Sequence, residues 1–131
     1  MKNKICMTLL SSLISLSIHA QDLKKENVQE VAKAAAQDDA VTQSNLGLTY
    51  FLGLGVPQDY SLAKQWFEKA AAQGDDIAQY YLGLMYFHGL GVPQNYFLAK
   101  QWFEKAATQG GALAQYNLGV MYDQGLGVMV K

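Results

Sequence analysis

The chain has 131 residues, half of them apolar, enough for one compact domain with a core and too apolar for a disordered tail or a collagen-like fibre. Its ten cations, all Lys, stand against 11 acids; this disfavours a nucleic-acid grip, because neutralising phosphates needs a basic excess and bidentate base reading favours Arg. A single Cys, Cys6, builds neither a disulfide framework nor a thiolate metal site within one chain.

Residues 1–20 read as an export signal. Lys2 and Lys4 precede an uncharged stretch from Ile5 to Ile18, and Ala20 offers a small residue at a cleavage point before the polar Gln21, Asp22, Lys24 and Lys25. The apolar run is broken by Ser11, Ser12, Ser15 and Ser17 and is shorter than the about 20 residues a spanning helix needs. Cys6 precedes the apolar segment, so it cannot be the acylated Cys of a lipoprotein, and no stable membrane anchor is expected. Cleavage after Ala20 leaves a chain with no Cys, one His and a net charge of about −3, and Ser17 is the alternative cleavage site. The expected location is outside the cytoplasm, periplasmic or secreted.

Residues 21–40 form a linker and a degenerate half-repeat, since residues 31–39 match residues 67–75. From there a 36-residue unit organises the chain: residues 41–76 and 77–112 share 25 of 36 positions without a gap, and residues 113–131 begin a third copy. Recurring blocks are Leu46-Gly47-Leu48-Thr49-Tyr50, Leu82-Gly83-Leu84-Met85-Tyr86 and Leu118-Gly119-Val120-Met121-Tyr122. They are followed by Gly53-Leu54-Gly55-Val56-Pro57 and Gly89-Leu90-Gly91-Val92-Pro93, then by Ala63-Lys64-Gln65-Trp66-Phe67-Glu68-Lys69-Ala70-Ala71 and its copy from Ala99.

Within a unit, Gln43, Leu46, Gly47 and Tyr50 recur at spacings of three and four, which predicts a helix A over roughly 41–52, ended by the Gly-Leu-Gly-Val-Pro turn. Pro57 biases Val56 out of helical geometry, and Asp59 or Asn95 can accept from the free amides of a helix B over roughly 60–73. Its expected buried stripe is Tyr60, Ala63, Phe67, Ala70 and Ala71, flanked by Trp66, with Gly74 capping the end and Asp76 starting the next helix A. Each unit is thus a helical hairpin, and the fold class expected is all-α, a solenoid of antiparallel helix pairs.

These blocks resemble the Sel-1-like repeat, a relative of the tetratricopeptide repeat. The resemblance rests on Leu-Gly-x-x-Tyr, the Gly-x-Gly-Val turn and Ala-x-x-Trp followed by Lys-Ala-Ala and Gly. The tetratricopeptide unit has 34 residues and places Trp three before the Leu-Gly pair, where this chain has Gln43, Gln79 and Gln115. The resemblance implies an α-solenoid adaptor that binds a protein or peptide, with helix A lining its concave face and no catalytic residues of its own.

Candidate chemistry gives way to the repeat. Ser61-Leu62-Ala63-Lys64 fits the Ser-x-x-Lys pattern of β-lactam-binding enzymes, and a small hydrolase using Ser61 and Lys64 is the alternative reading. The next unit reads Phe97-Leu98-Ala99-Lys100, so Ala and Lys belong to the unit and Ser61 is a variable position. His88 corresponds to Leu52 and Gln124 and has no further ligands at metal spacing, so neither a metal nor a cofactor is expected. Gly53 and Gly55 lack the strand and third Gly of a dinucleotide fingerprint and read as turn glycines. Trp66, Trp102 and most Tyr recur with the unit and read as core, each contributing about 1.5–3 kcal/mol when buried.

Function is expected where copies differ, because positions fixed by stacking are already committed. Asn45, Thr49 and Leu52 share one face of helix A, and their counterparts are Tyr81, Met85 and His88, then Asn117, Met121 and Gln124; these nine are the expected partner groove. The third unit offers only helix A, whose apolar stripe at Leu118 and Tyr122 has no mate in sequence. Self-association through that end, or a truncated remnant of a longer repeat protein, would account for it.

Overall fold

The structure, a computed structural model, describes Glu30, Ala32, Lys33 and residues 39–128; the expected export signal and most of the leading half-repeat lie outside these residues. From residue 39 to residue 128, five helices of 13 residues follow one another: α1 (Ala40–Leu52), α2 (Tyr60–Ala72), α3 (Asp76–His88), α4 (Tyr96–Thr108) and α5 (Ala112–Gln124). No strand occurs among the described residues. The chain is an all-α solenoid in which α1 packs chiefly on α2 and α3 on α4, with α2 on α3 and α4 on α5 joining one pair to the next.

Short polar side chains start four of these five helices, and α5 begins at Gly111 without a side-chain cap. Asp59 accepts from the Leu62 amide at 3.0 Å, and Asn95 does the same for Leu98 at 3.0 Å. Asp75, not Asp76, caps α3 by accepting from the Ala78 amide at 2.8 Å, and Asp76 is already helical. Asp39 caps α1 through the Val41 amide and the Thr42 hydroxyl; the Thr42 hydrogen bond is the main cause holding its carboxyl below the usual range. Each cap satisfies an amide that the helix leaves without a partner, a contribution of about 1 kcal/mol. At the far end of α2, the Gly74 and Asp75 amides return to the Ala71 and Ala70 carbonyls at 2.9 and 3.1 Å. This closure requires φ +89° at Gly74, a conformation that side chains rarely adopt; steric room is not the reason, since a Cβ there would meet nothing.

Small residues set the distances between helices. Ala63, Phe67, Ala70 and Ala71 of α2 are buried, as the stripe predicts, with Tyr60 and Trp66 half-buried beside them. A Cβ on Gly47 would lie 2.6 Å from the Cδ1 and Cε1 of Phe67, and one on Gly83 would lie equally close to Phe103. The Leu-Gly block is therefore a notch that admits the ring of the unit's own second helix. On its other side, α2 receives Ala78, Leu82 and Met85 from α3, so Phe67 lies between two first helices and stacks on Tyr81 at 5.3 Å. Ala99, Phe103 and Ala106 of α4 repeat this with Ala114 and Met121 of α5.

Turns and amides join the units. A Cβ on Gly91 would stand 2.6 Å from the Tyr60 Cβ, so this turn rests on the start of the preceding second helix; Gly127 approaches the Tyr96 carbonyl in the same way. Gln79, in the slot where a tetratricopeptide has Trp, accepts from Gln109 Nε2 at 2.8 Å and donates to the Ala71 carbonyl at 3.4 Å. Gln43 accepts from Gln73 at 2.9 Å, and Gln115 donates to the Ala107 carbonyl at 3.2 Å. Trp102 is half-buried against the core between α2 and α3, under Lys105, whose Nζ is 4.5 Å from the ring centroid.

Candidate functional site

The first helices α1, α3 and α5 each begin with an apolar residue that packing leaves in water: Val41 is 61% exposed, Ile77 48% and Leu113 64%. They occupy one slot of the 36-residue unit and so form a row along the array. Beside it, a groove of about 390 Å³ runs from Leu48 of α1, past Asp76, Ile77, Tyr80 and Tyr81 of α3, to the start of α5 at Leu113. Its walls are mostly apolar, with Tyr80 and Tyr81 packed edge to face at 5.4 Å and the half-buried Asp76 among the lining residues. Ring faces and branched aliphatic side chains with few polar groups suit an apolar segment of a partner.

The nine residues expected to form a partner surface separate. Met85 (0% exposed) and Met121 (1%) lie in the core and are removed from the surface assignment. Their stripe, Ala78–Leu82–Met85 at spacings of four and three, is covered by the preceding second helix, so variation at this slot reflects repacking of the interior. Thr49 is half-buried and its hydroxyl donates to the Asn45 carbonyl at 2.9 Å. Tyr81 is half-buried, held by Phe67 and Phe51, and it alone of the nine lines the groove. Asn117 is half-buried with its amide 3.5 Å from the Tyr80 hydroxyl, at the limit of a hydrogen bond. Asn45, Leu52, His88 and Gln124 are exposed outside the groove. Sequence reasoning passed over Ile77, Leu113 and Tyr80; the available signal was an apolar residue recurring at a slot outside the buried stripe.

The Ser61 and Lys64 pair has no hydrolase geometry behind it. Ser61 is exposed, and the Lys64 ammonium is bound to Glu68 at 2.5 Å; that hydrogen bond is the first cause holding its pKa above the ordinary lysine value. A base that activates a serine needs the opposite shift. No cluster of three His, Cys, Asp or Glu suited to a metal ion occurs among the described residues, and no described helix is long and apolar enough to cross a membrane.

Among solved structures, the chain is similar to a protective antigen of uropathogenic Escherichia coli strains displaying an SLR fold, with 42% identity and a TM-score of 0.75. That match covers 77% of this chain and 22% of the antigen, so this chain spans a small part of that protein's length. A Sel1 repeat protein from Oxalobacter formigenes is similar at 35% identity and a TM-score of 0.69, over 80% of this chain and 79% of the other. No curated protein matches. The Sel1 repeat family description matches residues 40–75, 76–111 and 112–131, the same segments in which the Leu-Gly notch, the glycine turn and the alanine-rich second helix recur, and the chain belongs to the Sel1 repeat family.

Proposed function

We propose that this chain is an exported, periplasmic or secreted, protein-interaction module that holds an apolar segment of a partner protein or peptide along the concave side formed by its first helices. Sel1 repeat proteins are generally interaction scaffolds, and that much follows from family membership. The observation that carries the finer reading is the aligned row of Val41, Ile77 and Leu113 beside the tyrosine-lined groove. Nothing in the packing of the described residues requires three apolar side chains in water at one repeated slot, whereas a partner that covers them gains about 25 cal/mol per Å² of apolar surface. Export is supported by the basic, apolar and small-residue pattern of residues 1–20 and by the related protein being a protective antigen.

A photocrosslinking residue placed at 77 or 113 in living cells should yield one discrete adduct, while the same residue at Gln65 or Gln101, exposed on the second helices, should yield none. Equal adducts from all four positions, or adducts from 65 and 101 alone, would overturn the groove assignment. Recovery of a chain beginning at Gln21 from the periplasm or medium tests export; retention of residues 1–20 in the cytoplasm refutes it.

A further inference from the structure

The charges of the array are divided between its two kinds of helix. Every Lys between residues 39 and 128 lies on a second helix and is engaged there. Lys64 and Lys100 pair with Glu68 and Glu104 at 2.5 and 3.5 Å, while Lys69 and Lys105 stand 4.5 Å from the ring centroids of Trp66 and Trp102. The first helices contain no Lys; they carry the carboxylates of Asp76 and Asp123. Of the two, Asp76 lines the groove, half-buried among Ile77, Tyr80, Tyr81 and Leu113. No cation of the described residues lies within ion-pair distance of it. Nor does the helix need it as a cap, since Asp75 already accepts from the Ala78 amide. The helix dipole favours an acid in this first turn, but it does so equally at the same slot of the neighbouring units, where the chain has Ala40 and Ala112. Asp76 belongs to α3, which has α1 and α2 before it and α4 and α5 after it, so both neighbours of the central unit are in place around this part of the groove.

We propose that the groove is specific for a Lys or Arg side chain set between apolar residues of the partner. This inference rests on the groove holding an apolar partner segment and adds the chemistry of the residue at the centre of that segment. A wall of ring and aliphatic carbon with a single unpaired carboxylate suits a side chain that is apolar along its stem and cationic at its tip: the methylenes cover Tyr80, Tyr81 and Ile77, and the cation meets Asp76. Tyrosine ring faces attract the same cation. A purely apolar segment would cover Asp76 without pairing it, and an acidic one would be repelled, so each binds less well than the cationic segment. The groove volume of about 390 Å³ admits a few side chains, which limits recognition to a short stretch of the partner.

The probes are acetylated, amidated pentapeptides, Ser-Leu-X-Ile-Ser with X as Lys, norleucine or Glu, added to the whole chain and followed by the amide NMR shifts of Ile77, Tyr80 and Leu113. The Lys peptide should bind about threefold to tenfold more tightly than the norleucine peptide, and by a wider margin than the Glu peptide. That preference should shrink as salt rises from about 20 to about 500 mM. Asp76→Asn should bring the Lys and norleucine peptides to equal affinity with an unchanged circular dichroism spectrum, and Asp76→Lys should make the Glu peptide the best binder. Equal binding of the Lys and norleucine peptides to the parent, or a Lys preference that survives Asp76→Asn, overturns the cationic specificity; where Ile77→Ser still weakens all three alike, the apolar groove itself stands. Absence of binding by all three at about millimolar peptide, or binding indifferent to Ile77→Ser, overturns the groove reading and this inference with it. Shifts of the same amides that grow with chain concentration in the absence of peptide would identify a second copy as the occupant and overturn the proposal.

Discussion

The same substitution, Gly→Ala, should change stability in opposite directions at equivalent positions of successive units. At Gly83 the new methyl would lie 2.6 Å from two ring carbons of Phe103 and 3.1 Å from Cγ. Phe103 is fully buried between α3 and α5, so its ring has nowhere to retreat, and overpacking of this kind costs about 1–3 kcal/mol. Ala is the better helix former by about 1 kcal/mol, which offsets part of that cost and leaves a net loss of up to about 2 kcal/mol. At Gly119 the clash term is absent and only the helix term remains, a gain of up to about 1 kcal/mol. The propensity term is common to both, so the two variants should differ by the clash cost of about 1–3 kcal/mol, with the Gly83→Ala midpoint below that of Gly119→Ala in urea unfolding followed by circular dichroism at unchanged slope. If Gly83→Ala is as stable as Gly119→Ala, or both variants shift upward by the same amount, the notch is not what fixes helix spacing.

Met85→Ala should cost about 2–5 kcal/mol by opening a cavity between α2 and α3, whereas Leu52→Ala, more than half exposed, should stay within about 0.5 kcal/mol; thermal unfolding of the two variants checks the reassignment of the methionine slot. Asp59→Ala and Asn95→Ala should each cost about 1 kcal/mol, and adding Ser at either position should restore most of it, read from the same unfolding curves. The pH dependence at Lys64 has a definite sign. Its folded-state pKa is raised, chiefly by the hydrogen bond to Glu68, so the stabilisation is fully present below the ordinary lysine value of about 10.4 and is lost as pH rises through the higher folded-state value. The pair is partly solvated and worth no more than about 0.5 kcal/mol, so the stability difference between the parent and Lys64→Met should be small, constant near neutrality and vanishing in strong alkali. The same ammonium is held by Glu68 and does not suit a base for Ser61, so the parent and Ser61→Ala alike should leave nitrocefin hydrolysis at the level of buffer.

Much of the fold is legible before any coordinates. The helix limits follow from caps and turns that lie within a few residues of where they act: Asp59 and Asn95 start helices, Gly53 and Gly89 stop them, and Ala63, Phe67 and Ala70 are spaced to share one face. The candidate site was less legible, and the errors have one origin. A first helix in this array is covered on two sides, by its own second helix at Gly83 and by the preceding one at Ala78, Leu82 and Met85. Its periodicity therefore shows two apolar stripes instead of one, and difference between copies at Thr49, Met85 and Met121 looks like surface freedom when two of the three are interior. Ile77 and Leu113 present the converse: apolar side chains at a repeated slot that packing leaves outside.

The amino-acid sequence by itself determined the 36-residue period, the hairpin within each unit and the family, because these rest on hydrogen bonds and side-chain spacings a few residues apart. Only the tertiary structure decided which faces of the first helices are covered and what the Leu-Gly notch admits. Those properties depend on a ring arriving from about 20 residues away, and on the unit before or after it, so their cause lies in the packing of distant segments and leaves no mark within any one helix.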